Sequence, residues 1–449
     1  MSGQFDIVVI GDDEASFCAA AAVAKAGART ALIRPGDRKK KNVVSSSPAI
    51  PNFVWRRLDL QDYDLTLEPV SARVTLFPDG APVRSFAKSR DTQDALAAAG
   101  IDDHPLWEDF SSEMRSLADN DYLSKALYGV TTPNTKSLAT MLADLPSLDR
   151  AARLFGPCAE VLDDYFDDSR LKTHLAAHAL AAGGRGNREN GSATALAELL
   201  DEDGWRVRTP KDSQSLRAIL QKVCQDCGVK TYSGKVTEVT PASGKLTNIA
   251  VGTEDKLKTR HIFFATPDAA IAAGAMQSSE SSGLRSGLGG TGHASFTVRF
   301  KLSEHMDPPG GDIGAVYQIV DAGEDLQFAR DAAVQGKMFD RLPVEFEFAP
   351  TGEIIARSSY LPAAFCEEGE WRGWTGQDRQ AAATIIKERL TSRMPGLGAR
   401  IRRTETEVAT PYSGVSPFID CTHVVIQHSR HNAISAAVKR IDEVMASHE

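Results

Sequence analysis

Residues Phe5 to Gly36, FDIVVIGDDEASFCAAAAVAKAGARTALIRPG, constrain the fold more than any other stretch of the chain. Ile7–Ile10 is a short apolar strand that ends at Gly11. Ala15–Lys25 is alanine-rich and helix-favouring, with Gly27 placed as a C-cap, and Thr30–Ile33 supplies a second strand. This is the layout of a dinucleotide-binding βαβ unit. A working unit carries G-x-G-x-x-G after the first strand, so that backbone amides at a helix N-terminus can approach a pyrophosphate. An acidic residue about 20 positions on then holds the ribose hydroxyls. Here the glycine positions read Gly11, Asp13 and Ser16, and Arg34 stands where the acid belongs.

The substitutions change the electrostatics of the loop. Asp13 adds a Cβ and a carboxylate where the backbone would meet the diphosphate, and Asp12 and Glu14 add two further negative charges. Each like charge costs about 1 kcal/mol at 4 Å in water and several times that in a shielded site. The helix dipole returns only about 0.3–1 kcal/mol per charge. Ser16 for the last glycine is mild. Arg34 is a donor-only side chain in place of an acceptor; it can pair internally with Asp12, Asp13 or Glu14, the favoured reading, or take a phosphate. Asp12 or Asp13 can also cap the helix, and Gly11 alone is compatible with a plain strand-to-helix turn.

The rest of the chain reads in order as follows. Asp37–Pro51 is an exposed loop that includes the basic run Arg38–Lys41. Asp64–Leu67, Arg73–Phe77 and Pro82–Ser85 are expected to form a β-meander, and Ser89–Leu180 is helical in pattern. After the loop Gly183–Gly191, a helix over Ser215–Asp226 precedes strands at Lys230–Tyr232, Lys235–Thr240, Leu246–Val251 and His261–Phe264. Alternating runs from His293 to Tyr360 predict an antiparallel sheet, followed by a helix at Asp378–Arg393 and a strand at Ile401–Val408. Val424–Ile426 and Ala433–Met445 form a closing βα pair.

Nearly the whole chain resembles the FAD-dependent oxidoreductases of the phytoene desaturase and amine oxidase type. The resemblance is carried by LDDYFDDSRLKTHLAAHALAAGG (Leu162–Gly184), NGSATALAELL (Asn190–Leu200), the βα region Gly204–Gly252 and HIFFATPDAAI (His261–Ile271). It implies an α/β two-domain flavoprotein fold with a Rossmann-like unit, a sheet-based substrate domain and a helical cap. The implied division is 1–88, 204–275 and 410–449 for the dinucleotide-type domain, 89–203 for the cap, and 276–409 for the substrate domain. Departures fall on cofactor-facing positions. Lys211, Asp212 and Ser213 follow Pro210 where the family has a Gly-Gly pair, and DRKKKNVVSSSP lacks the second glycine-and-arginine motif. At the C-terminal flavin turn stand Gln427, His428, Ser429, Arg430, His431 and Asn432.

Two functions are therefore expected in competition. The first is a pseudoenzyme with a degenerate site at Gly11, Asp12, Asp13, Glu14, Ser16, Arg34, His428, Arg430 and His431. It would carry no cofactor and bind a hydrophobic or isoprenoid-like small molecule or a partner protein, such as an active paralogue. The Rab escort and GDP-dissociation inhibitor proteins, which resemble this fold and bind lipidated partners without flavin, are the analogy. The second is an active FAD-dependent oxidoreductase that passes hydride from a hydrophobic substrate to flavin through an atypical site. No catalytic side chain is identifiable for it.

Composition excludes other classes. Of 449 residues, 42% are hydrophobic and 25% charged, as in a globular protein, and a net charge of -9 argues against nucleic-acid binding by the surface as a whole. No apolar run reaches the roughly 20 residues of a membrane span. A cytoplasmic protein with reduced thiols is expected, peripheral membrane contact being compatible with this. Cys224-x-x-Cys227 lies near a helix end with no second pair, which favours packing over a metal or redox role. His423, His428 and His431 lack accompanying carboxylates, so no metal is expected. Trp371 and Trp374 are expected to anchor the substrate domain, or to line a ligand tunnel.

Overall fold

The computed structural model describes residues 2–12, 14–34, 52–63, 65–118, 153, 156–181, 184–200, 206–210, 216–234, 236–241, 246–252, 255–264, 276–278, 293–349, 352–409, 412–415, 424–426 and 438. The chain opens with β1 (Ser2–Ile10), α1 (Glu14–Lys25), β2 (Thr30–Arg34) and α2 (Asn52–Arg57). Strands β3 (Leu65–Pro69), β4 (Arg73–Leu76) and β5 (Val83–Ser85) lead to helices α3 (Ser89–Ala98) and α4 (Trp107–Ala118). Helices α5 (Cys158–Tyr165), α6 (Ser169–Leu180) and α7 (Thr194–Leu200) follow. Next come β6 (Arg206–Pro210), α8 (Leu216–Asp226), β7 (Lys230–Ser233), β8 (Val236–Pro241), β9 (Thr247–Val251), β10 (Asp255–Phe264) and β11 (Met276–Ser278). The remainder comprises β12 (His293–Leu302), β13 (Val316–Ile319), α9 (Glu324–Val334), β14 (Val344–Phe348), β15 (Glu353–Pro362), β16 (Phe365–Glu367) and β17 (Glu370–Arg372). It ends with α10 (Gly376–Arg393), α11 (Leu397–Arg400), β18 (Ile401–Ala409), β19 (Tyr412–Val415) and β20 (Val424–Ile426).

The first sheet has β7, β2, β1 and β10 side by side and parallel. Strand β10 changes neighbours along its length. Its first half, Asp255–Thr259, pairs antiparallel with β9, and its last three residues pair parallel with β20. Alternate residues of β1 explain why its apolar run is unbroken. Ile7 and Val9 pack under α1 and α8, while Val8 and Ile10 pack with Val236, Ile249 and Val251 of the β8–β9 meander. Both faces are covered, as a parallel sheet requires. Val438 joins the α1 side.

The second sheet runs β18-β12-β15-β14-β13-β4-β5. Of the meander expected over residues 64–85, only the antiparallel pairing of Arg73–Leu76 with Val83–Ser85 forms. Arg73–Leu76 also pairs parallel with Val316–Ile319 and brings β5 with it, and Leu65–Pro69 pairs with Arg206–Pro210 in a separate ribbon. The reason is packing: Val74 and Leu76 enter the same core as Tyr317, Ile319, Phe346 and Phe300, a closure that local alternation cannot reveal. Helices α4 to α7 bury Phe110, Leu162, Leu175 and Leu196 in that core as well. Helix α9 was not legible in the run of strands expected from His293 to Tyr360; its segment is amphipathic, with Leu326, Ala329 and Ala333 buried.

Helix α10 starts at Gly376 because Thr375 forms a capping box with Asp378: the Thr375 hydroxyl accepts from Asp378 N at 3.2 Å, and Asp378 Oδ2 accepts from Thr375 N at 2.8 Å. Thr375→Ala is expected to lower stability by about 1 kcal/mol, read by chemical unfolding. Trp374 stacks on Phe296 with ring centroids 5.6 Å apart and donates to Pro362 O at 2.9 Å, which makes it a packing anchor. Trp371 is largely outside the core, at 40% exposure.

Candidate dinucleotide site

The carboxyl edge of the first sheet collects the ends of β1, β2 and β7. Gly11 N donates to Ile33 O at 2.9 Å and Gly234 N donates to Arg34 O at 2.9 Å, so the three strand ends are tied at one level. Helix α1 begins three residues after Gly11, and Ser16 is fully buried in its first turn. In open α/β sheets this edge is where ligands bind.

Here it holds an ionic triad. Arg34 Nε donates to Asp12 Oδ1 at 2.7 Å, and the Arg217 guanidinium contacts Asp12 Oδ2. Asp12 thus places one oxygen on each arginine. All three side chains are partly buried, at 31% exposure for Asp12, 30% for Arg34 and 25% for Arg217. Charge-assisted hydrogen bonds in such a setting are worth about 1.5–3 kcal/mol each before solvent screening is discounted. Arg217 is further held over the ring of Phe17, 5.9 Å from its centroid, and burial lowers its pKa.

Arg217 was missed by sequence reasoning, although a signal existed. It lies on α8 three residues before Leu220 and seven before Cys224, both fully buried against α1, so a cation occupies the apolar stripe of the helix. Such a cation needs a counter-ion. Asp12 is that partner.

Glu14 is the first residue of α1 and is partly buried. Asp13, His428, Arg430 and His431 lie outside the described residues, as does the Arg38–Lys41 run. Cys224 is buried against α1, donates from Sγ to Phe17 O at 3.2 Å, and has its thiol pushed up to about 12 by burial. It is a packing residue. Among the described residues no cluster of three or more His, Cys, Asp or Glu side chains could hold a metal, and no helix is long and apolar enough to cross a membrane.

Neither a protein-family model nor a curated protein matches the sequence. Solved structures do match in shape. A putrescine oxidase triple mutant, from a redesign of cofactor binding, superposes with a TM-score of 0.54 at 11% identity over 100% of each chain. The wild-type putrescine oxidase bound to putrescine gives 0.53 at 11% identity, covering 99% of this chain and 100% of that one. The Rab GDI of Plasmodium falciparum gives 0.57 at 10% identity, covering 100% of this chain and 99% of that one. These likenesses, together with the parallel sheet, its β-meander and the second large sheet, show that the chain adopts the mixed α/β fold seen in putrescine oxidase and in the Rab GDI.

Proposed function

We propose that this chain is a binding member of the flavoprotein fold that has given up ordinary FAD binding, and that it holds a hydrophobic small molecule or a partner protein. The triad of Asp12, Arg34 and Arg217 carries the reading. It occupies the strand-end positions from which a dinucleotide's ribose and diphosphate would be held. An incoming diphosphate would have to displace Asp12 from two arginines while facing the carboxylates of Asp12, Glu14 and, in sequence, Asp13. The likeness to the Rab GDI supports the partner form of the reading, since that protein is named for the Rab it acts with.

A second reading, an FAD-dependent oxidoreductase with an atypical site, has one observation in its favour: the β1–Gly11–α1 turn is retained, with its strand ends tied by backbone hydrogen bonds. Titrating the purified protein with FAD and following flavin fluorescence separates the two. No saturable quenching is expected; stoichiometric saturation would favour the oxidoreductase.

A further inference from the structure

A cavity of about 430 Å³ opens between α5, α6, the loop through Asn187 and Arg188, and the turn that begins α9. None of the triad residues lines it. Three carboxylates, Asp163, Asp321 and Glu324, face three cations, Arg170, Lys172 and Arg188, so the wall is charge-balanced. Most of these charges are already engaged. Lys172 Nζ is 2.6 Å from Asp163 Oδ1, and Asp321 is held by Arg389 and Arg393, each at 2.5 Å. Arg170 is bound to Asp168 and to the carbonyls of Ala99 and Gly100.

Among the described residues, two neutral groups on the wall keep hydrogen-bonding capacity. Asn187, 8% exposed, donates from Nδ2 to Gly323 O at 3.1 Å, which fixes the orientation of its amide and leaves Oδ1 buried with no partner. The Thr173 hydroxyl, on a residue 5% exposed, makes no hydrogen bond to another described residue. Leaving a buried acceptor unmet costs about 1–3 kcal/mol, so a ligand that supplies a donor there gains correspondingly. Phe77, Leu162 and Ala176 provide apolar surface beside these groups.

We propose that this cavity binds an uncharged polyhydroxylated molecule of one to two sugar rings, read by Asn187 Oδ1 and the Thr173 hydroxyl, with the ligand's C–H face against Phe77. Hydroxyl groups meet both a bare acceptor and a hydroxyl that can donate or accept. A charged ligand finds four of the six wall charges, those of Asp163, Lys172, Arg170 and Asp321, already paired. The volume lies within the usual range for small-molecule sites, about 300–1,000 Å³. The site is independent of whether flavin binds.

Titration calorimetry of the full chain with glucose, trehalose and myo-inositol, alongside gluconate as an anion and glucosamine as a cation, tests the proposal. At least one neutral probe should bind saturably and about tenfold more weakly to Asn187→Leu and to Thr173→Val, the latter being close to isosteric and expected to fold. The proposal fails if no neutral probe saturates, if a charged probe binds more tightly than every neutral one, or if Thr173→Val binds as tightly as the natural chain.

Discussion

Stability should fall by about 2 kcal/mol between pH 7 and pH 5 from the buried His174, and further in the same direction from the buried His178. His174 accepts or donates on both ring nitrogens, to Thr75 Oγ1 at 2.8 Å and Ser85 Oγ at 2.9 Å, and its ring lies 4.8 Å from that of His178. Burial, with the nearby Arg73 cation, holds His174 down to about 3. Burial, then His174 and Arg73, hold His178 well below its ordinary value, against a backbone contact from Val74 that raises it. The unfolded chain takes up these protons below about pH 6.5, whereas in the folded chain His174 does so only near pH 3 and His178 only well below its ordinary range. The histidines' contribution is therefore complete above about pH 6.5 and is lost as pH falls. Carboxylates with lowered pKa values, such as Asp6 beside Arg29, lose their contribution in a lower window, below the ordinary Asp range. Urea unfolding at pH 7 and pH 5 measures the effect, and His178→Gln should reduce the slope. A pH-independent midpoint across that range would show that these imidazoles are not buried neutral. The pair holds β4 and β5 beneath α6, which is a structural task.

Asp12→Ala should lower the unfolding free energy by about 1–3 kcal/mol. The loss comes less from the two hydrogen bonds themselves than from what remains: two guanidinium groups, each about a quarter to a third exposed, facing one another with no shared carboxylate. Asp12→Asn keeps the shape and one acceptor oxygen but removes the charge, and should fall between the two. Double-mutant cycles with Arg34→Gln and Arg217→Gln would apportion the coupling, since the three residues act as one network. If Asp12→Ala is as stable as the natural chain, the triad is a surface pairing with no structural weight.

How far the sequence foretold this arrangement depends on which forces fixed each part. The βαβ opening was legible because its strand, glycine and helix follow local periodicity, and Arg34 was readable as a partner for a nearby acid because both lie at ends of adjacent strands. Arg217 was not, since its contact with Asp12 crosses 205 positions of chain and depends on how α8 packs on α1. The misplacement of β4 and β5 has the same origin: parallel pairing with β13 is set by the shared core and leaves no local mark. Asn187 and Thr173 carry no motif, and become a pair only where the loop after α6 meets the turn before α9. The C-terminal histidines had a motif-based expectation, but they lie outside the described residues.

The claim that the triad stands in for the dinucleotide is tested most directly by an absorbance spectrum of protein purified without reconstitution, with mass analysis of whatever it releases on denaturation. The account expects no flavin bands and no FAD among the released molecules. Stoichiometric FAD would contradict it, and would mean that Asp12 gives up at least one arginine when the cofactor enters.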